Sequence, residues 1–293
     1  MKPETKGLVQ LNLAVLLWAG TAMFAKAVPL PVTHLTCIRY LCAAAALFPV
    51  VLVLQPSLAL NRKRDYPVVA LSGIFLALNS LTIFRALRVS SAAVALLSFY
   101  SYPVFTALVE PWWFREKLKV ADLLLAAGIF AGIVIMTPEF SLANRVTLGI
   151  CLGVLSGVFS MLRNLLTRQC VRDTPCEVLM FWQALAAGLF LIPCLFAVPV
   201  EIRIDNGAYV VLLGVVFTAV PQTLSAASLG HLNARTAGVI ATTQPIYAAV
   251  LGAFIHDEVV TPRTLVGGGV VLAFFVLETL RAVRLPQTRQ GDP

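Results

Sequence analysis

Two short stretches set polar and aromatic groups beside a proline in an otherwise apolar setting: Tyr100-Ser101-Tyr102-Pro103 and Thr242-Thr243-Gln244-Pro245. Hydroxyl, phenol and amide side chains give and take hydrogen bonds, while rings cover apolar surface. Such a set can orient a small polar solute without reacting with it. Proline adds backbone chemistry, because it lacks an N–H and its ring clashes with the carbonyl four residues back. Pro103 therefore frees the carbonyl of Phe99, and Pro245 that of Ala241. Ser98 stands beside the first cluster and Tyr247 beside the second.

Reactive chemistry is sparse by comparison. His34, His231 and His256 lie in separate connections, and the six cysteines form no CxxC pair. Zinc ligation needs tighter clusters, so neither a metal nor a cofactor is expected, and the thiols read as unpaired. There is no GxxxxGK[ST] signature and hence no ATP-driven pump within this chain. An integral-membrane enzyme is the remote alternative, because no constellation of reactive groups accompanies the proline clusters.

The elements that must position these residues follow from composition. Of 293 residues 59% are hydrophobic and 12% charged, with mean hydropathy +0.88, whereas a soluble domain carries roughly a quarter charged residues. Apolar runs recur at about the twenty-residue length that spans a ~30 Å hydrocarbon core as a helix. Ten spans are expected, at 7–28, 33–54, 67–87, 90–112, 119–137, 147–169, 176–198, 207–229, 235–256 and 262–282. The net charge of +8 comes from basic residues in the short gaps between runs, which suits membrane orientation better than nucleic-acid binding. Lys2 and Lys6 before the first span, with Ala25-Lys26-Ala27 after it, resemble a signal peptide, but the apolar stretch is too long for one and retention is expected. Fourteen Lys and Arg fall on the side of the termini and six on the other. That excess places both termini in the cytoplasm.

The chain also repeats itself. An offset of 142 residues carries Pro103 to Pro245, Glu116 to Glu258, Lys26 to Arg168 and Ala86-Leu87 to Ser228-Leu229; in the second span it slips to 144, carrying Arg39 to Gln183 and Pro49 to Pro193. A near-constant offset across four span pairs signals internal duplication, with halves at 1–142 and 143–293. Five spans per half is odd, so the second copy enters the membrane inverted. Inverted repeats are a hallmark of secondary transporters, which hold substrate near the midplane where the repeats meet.

The expected substrate-binding residues are Trp18, Asn79, Tyr100, Tyr102, Arg163, Gln222, Thr243, Gln244 and Tyr247, with Pro103 and Pro245 as hinges. For Asn79 and Gln222, bonding between helices is the alternative, since a buried amide in lipid needs partners. Arg163 either snorkels to the surface or holds a substrate carboxylate. Glu110, the deepest carboxylate in the spans, is the candidate proton site. On the outer side Lys26, Arg39, Arg85 and Arg88 could form a positive mouth that favours anions. Gly128-x3-Gly132 and Gly149-x3-Gly153-x3-Gly157 have the spacing of closely packed helices.

The stretches LLWAGTAMFAK (16–26), IRYLCAAAALFP (38–49), ALRVSSAAVALLSFYSYPVF (86–105) and FREKLKVADLLLAAGIFAGIVI (114–135) carry a family resemblance, with WQALAAGLFLIP (182–193) and ASLGHLNARTAGVIATTQPIYAAVLGAFIHDEVV (227–260) as second-half counterparts. Together they make the chain similar to the drug/metabolite transporter superfamily, in its ten-helix EamA-type branch, over nearly its whole length. The resemblance implies an all-α integral membrane protein of two five-helix repeats in the bacterial inner membrane, a monomer or weak homodimer meeting only lipid and a small-molecule substrate. Members of that family export amino acids, nucleosides, sugars or other metabolites, and the best-understood bacterial ones export aromatic and other amino acids from a central cavity. Export of amino acids by alternating access is therefore the leading expectation. Carriage of anionic metabolites such as sugar phosphates or nucleotide derivatives is the alternative. Ser160 stands where the repeat would place a second Trp18, which departs from the pattern in span six.

Overall fold

A chain with so few polar side chains must satisfy its backbone donors and acceptors internally, and the helix does this within one segment. The computed structural model describes residues 3–55, 57–60, 62–114, 120–139, 141–170, 174–197, 209, 211–229, 231–232 and 240–284, and it holds no strand among them. The helices are α1 Pro3–Ala27, α2 Val32–Leu54, α3 Asp65–Val89, α4 Ala92–Phe99, α5 Tyr102–Phe114, α6 Val120–Met136, α7 Arg145–Cys170, α8 Cys176–Ala197, α9 Val220–Leu229, α10 Gln244–His256 and α11 Pro262–Arg284. A π turn, Val215–Ala219, leads into α9. Six segments are long and apolar enough to cross a membrane: Thr5–Ala27, Val32–Leu54, Asp65–Val89, Ala92–Trp113, Arg145–Cys170 and Cys176–Ala197. Leu123–Met136, Val211–Ser225 and Pro262–Leu277 are shorter apolar helices. Residues 119, 198, 207–208, 210 and 235–239 of the expected spans lie outside the described residues.

The fourth expected span is not one helix. It breaks at Tyr100-Ser101 and restarts at Tyr102, so Pro103 occupies the second position of a new helix. There its missing N–H would have had no partner anyway. Pro245 holds the same place in α10. Both prolines therefore open new helices instead of lying within continuous ones.

Packing is reciprocal between the halves. α7 lies against α3 and α4, while α1, its equivalent under the 142-residue offset, lies against α9 and α10; α2 pairs with α8, and α6 with α11. Glycines set the closest approaches. A Cβ added to Gly153 would sit 2.8 Å from the Ala95 carbonyl oxygen, and one on Gly157 3.1 Å from that of Phe99. The glycine row of α7 therefore brings the α4–α5 break directly against it. Gly132 and Gly267 similarly let α6 and α11 touch, each facing the other's carbonyl.

The interior is small and partly polar, with Thr36, Ser72, Ser98, Ser101, Ser156 and Gln183 buried. Large apolar side chains are turned outward: Trp112, Phe196 and Phe254 are 80, 83 and 84% exposed. A water-facing protein would not leave such surface bare; in a bilayer acyl chains cover it and interhelical packing relies on small residues.

Candidate functional site: a central cavity with two arginines

The two helix breaks are built alike. Ser101 donates from both its N–H and its Oγ to the Ser98 carbonyl, at 3.2 and 2.7 Å. Thr243 does the same to the Ile240 carbonyl, at 3.0 and 2.7 Å. Ser98 and Ile240, like Ser101 and Thr243, stand 142 residues apart, so one local device closes both ends. The Tyr100 hydroxyl then ties the breaks together, donating to the Ala241 carbonyl at 2.7 Å and to Gln244 Oε1 at 3.1 Å. The carbonyl that Pro245 strips of its helical donor thus finds a phenol. Phe99, whose carbonyl Pro103 strips, packs that oxygen against the glycine row of α7.

Beside these breaks lies a cavity of about 430 Å³, walled by α1, α2, α3, α4, α5, α7 and α8 together with Phe217, Thr218, Gln222, Ala241 and Gln244. Seven of the expected binding residues line it: Trp18, Asn79, Tyr100, Tyr102, Arg163, Gln222 and Gln244. Two do not. The Thr243 hydroxyl is spent on the break, and the Tyr247 hydroxyl donates to Asn12 Oδ1 at 3.2 Å on α1, so hydrogen bonds within the protein hold both away from the wall. Pro103 and Pro245 also stand outside it. Glu110 belongs to α5, and its side chain lies outside the described residues. Asn79 serves packing as well as lining: its Nδ2 donates to the carbonyl and the Oγ of Ser156, at 2.8 and 2.9 Å, and Ser156 Oγ returns a bond to the Asn79 carbonyl.

Sequence reasoning left several wall residues out of the site, chiefly Arg39, Ser80, Phe217 and Thr218. Arg39 is 6% exposed. Its Nη2 donates to Ser80 Oγ at 2.9 Å and its Nη1 to Thr218 Oγ1 at 3.4 Å. The guanidinium carbon sits 4.3 Å from the centre of the Tyr40 ring and 4.9 Å from that of Phe84. Phe217 and Thr218 reach the wall from the π turn, where the Thr218 hydroxyl bonds the carbonyl five residues back. Such turns have no clear sequence signature. Arg39 did have one: it lies seven residues inside an apolar span, and its repeat partner Gln183 accepts from Arg163 Nε at 3.0 Å.

One end of the molecule is tied together by polar contacts and is termed the sealed end. Lys26 is ion-paired to Glu258 and donates to the Ser90 carbonyl at 2.8 Å, while the second Glu258 oxygen accepts from the Ala92 N–H at 2.8 Å. Arg88 is occupied by the carbonyls of Ala25 and Val28, at 2.8 and 2.9 Å. The positive mouth expected from Lys26, Arg39, Arg85 and Arg88 is therefore not formed: one cation is neutralised, one holds backbone, one lines the cavity, and Arg85 is left exposed. Toward the opposite end a second pocket, about 330 Å³, shares Leu47, Met180 and Gln222 with the cavity and reaches Leu54, Cys176 and Glu177. A polar and aromatic chamber with an adjoining pocket has room for a small solute.

The profile of the EamA-like transporter family matches this sequence twice, over residues 5–137 and 147–279, so that the second match begins and ends 142 residues after the first. The chain belongs to the EamA-like transporter family. Its relatives include a Bacillus subtilis protein named only as the uncharacterized transporter YxxF, 24% identical over 255 residues that cover 85% of this chain and 82% of that protein. An uncharacterized transporter of Archaeoglobus fulgidus is 26% identical over 199 residues, 67% of this chain and 71% of the relative. One from Helicobacter pylori is 26% identical over 216 residues, 70% and 71% respectively. A solved crystal structure shares the fold with TM-score 0.64 at 19% identity, covering 96% of this chain and 100% of its own. As a member of a transporter family with this many apolar helices, the chain is a multi-pass membrane transporter.

Proposed function

We propose that this EamA-type protein is a secondary transporter that exports small metabolites, with amino acids, aromatic ones included, as the leading substrate class. In this reading ten helical passages form two five-helix halves, 1–142 and 143–293, of opposite orientation. Both termini lie in the cytoplasm, and the protein sits in a bacterial inner membrane as a monomer or weak dimer. The observation that carries the reading is the central cavity, flanked by two helix breaks of identical construction. Matched breaks facing one chamber are what a rocking mechanism needs, because each half-helix can tilt without dismantling a continuous hydrogen-bond ladder. Trp18, Asn79, Tyr100, Tyr102, Arg163, Gln222 and Gln244, together with Arg39, are the proposed substrate contacts. Pro103 and Pro245 are the proposed hinges, and Glu110 the proposed proton site.

Anionic metabolites are the second reading, favoured by one observation: the wall holds two arginines and no described Asp or Glu. Counterflow in proteoliposomes separates these classes, using labelled phenylalanine, threonine, glutamate, uridine and a sugar phosphate in turn. Accumulation of phenylalanine or threonine supports the leading class, accumulation of the sugar phosphate alone supports the second, and silence across the panel removes support from both. The hinge assignment fails if Pro103→Ala and Pro245→Ala each transport at the native rate; a several-fold slowing is expected.

A further inference from the structure

A buried cation normally has an anion beside it, because taking a charge out of water costs more than neutral contacts restore. Arg39 has none. Its neighbours are two hydroxyls and two aromatic rings, its Nε has no hydrogen-bond partner, and the only ion pair among the described residues joins Lys26 to Glu258 at the sealed end. The rings of Tyr40 and Phe84 attract a guanidinium face and the hydroxyls fix two of its nitrogens, so the group is held in place but not neutralised. A planar guanidinium held this way suits an oxyanion gripped through two parallel N–H bonds, a carboxylate or a phosphate, and the apolar faces of the wall favour a carboxylate on an apolar body.

We infer, resting on the transporter reading above and on its second, anionic substrate class rather than on amino acids, that Arg39 is the carboxylate-binding residue of the cavity and that its substrates are small organic acids of net negative charge with an aromatic or branched apolar body. An α-ammonium group is not required.

The remainder of the wall supports this choice. No described Asp or Glu lines the chamber to receive an ammonium. The strongest neutral acceptors, the Ala241 carbonyl and Gln244 Oε1, are both engaged by Tyr100. Trp18, Phe99, Tyr102 and Phe217 supply apolar faces, and about 430 Å³ is the size of a small-ligand site. Arg163 is less suited to the role, since its Nε is already bonded to Gln183. An incoming acid completes the charge that the fold leaves open, whereas a zwitterion brings a cation with nothing opposite it.

The test is scintillation-proximity binding to the purified full-length chain with labelled phenylpyruvate, 4-methyl-2-oxopentanoate, phenylalanine and phenethylamine. Native protein, Arg39→Gln and Arg39→Lys are compared, each checked for a native unfolding profile. The expected result is at least tenfold tighter binding of a keto acid than of phenylalanine, no binding of the amine, at least a tenfold loss in Arg39→Gln and partial recovery in Arg39→Lys. Phenylalanine binding as tightly as either keto acid overturns the inference, as does keto-acid binding unchanged in Arg39→Gln, or no keto-acid binding at all. The transporter reading is judged separately by counterflow with labelled phenylpyruvate added to the panel: phenylalanine counterflow without keto-acid binding sinks the inference and leaves that reading standing, whereas silence for every solute, phenylpyruvate included, counts against the reading itself.

Discussion

The two cavity arginines occupy related frames and are treated differently. Under the repeat offsets Arg163 corresponds to Thr21 and Gln183 to Arg39, so each half carries one arginine, on its first helix in one copy and on its second in the other. Around Arg163 the bonds close into a ring: its Nε meets Gln183 Oε1 at 3.0 Å, Gln183 Nε2 meets Thr167 Oγ1 at 2.8 Å, and that hydroxyl donates to the Arg163 carbonyl at 2.8 Å. Around Arg39 the bonds stop at two hydroxyls and leave Nε open. Duplication supplied two equivalent scaffolds; exchanging which helix bears the cation made one a structural brace and the other an open charge.

That contrast has a large consequence for mutants. Arg39→Gln should lose at least nine-tenths of transport while unfolding at the same or a higher temperature, because a neutral amide replaces an uncompensated buried cation. Arg163→Gln should instead lose about 1–3 kcal/mol of stability as Gln183 is left without its donor, with a smaller loss of transport per folded molecule than Arg39→Gln. Thermal unfolding in detergent, read beside counterflow, decides it; equal behaviour of the two variants would erase the distinction. A smaller effect is expected at the sealed end. Glu258→Gln should cost about 2–3 kcal/mol, below the roughly 3–5 kcal/mol for a fully buried pair because both partners keep some solvent, and should speed labelling of an Ala22→Cys cavity probe by an impermeant maleimide added on that face. Unchanged labelling would mean that the ion pair does not hold that end shut. Smallest of all, Tyr100→Phe removes one donor from the Ala241 carbonyl, worth about 1 kcal/mol, and should slow transport about fivefold without altering the preference for acids over amines.

Much of the frame was legible before any coordinates. The offset of 142 residues pairs the two prolines at the breaks, and the structure finds Ser101 and Thr243 making the same pair of bonds there, whereas Pro49, Pro111 and Pro193 lie inside continuous helices. Seven of the nine expected binding residues line the cavity, since polar groups deep in apolar spans have few places to go except inward. Thr243 and Tyr247 were misplaced for an equally physical reason: the same need for partners can be met by a carbonyl three residues back or by Asn12 on α1, and spacing does not say which. Trp182, deep in its span, likewise spends its indole N–H on the Leu58 carbonyl.

Hydropathy, charge placement and the repeat are summed or local properties, so the sequence alone determined that the chain is helical, membrane-embedded and duplicated. Partnership is not local. Whether Arg39 meets an acid or only hydroxyls depends on Ser80 and Thr218, 41 and 179 residues away in the chain, and the ion pair of Lys26 depends on Glu258, 232 residues on. Only the tertiary structure decided which cation was neutralised and which was left open, because burial and Coulomb attraction act through space and take no account of chain order.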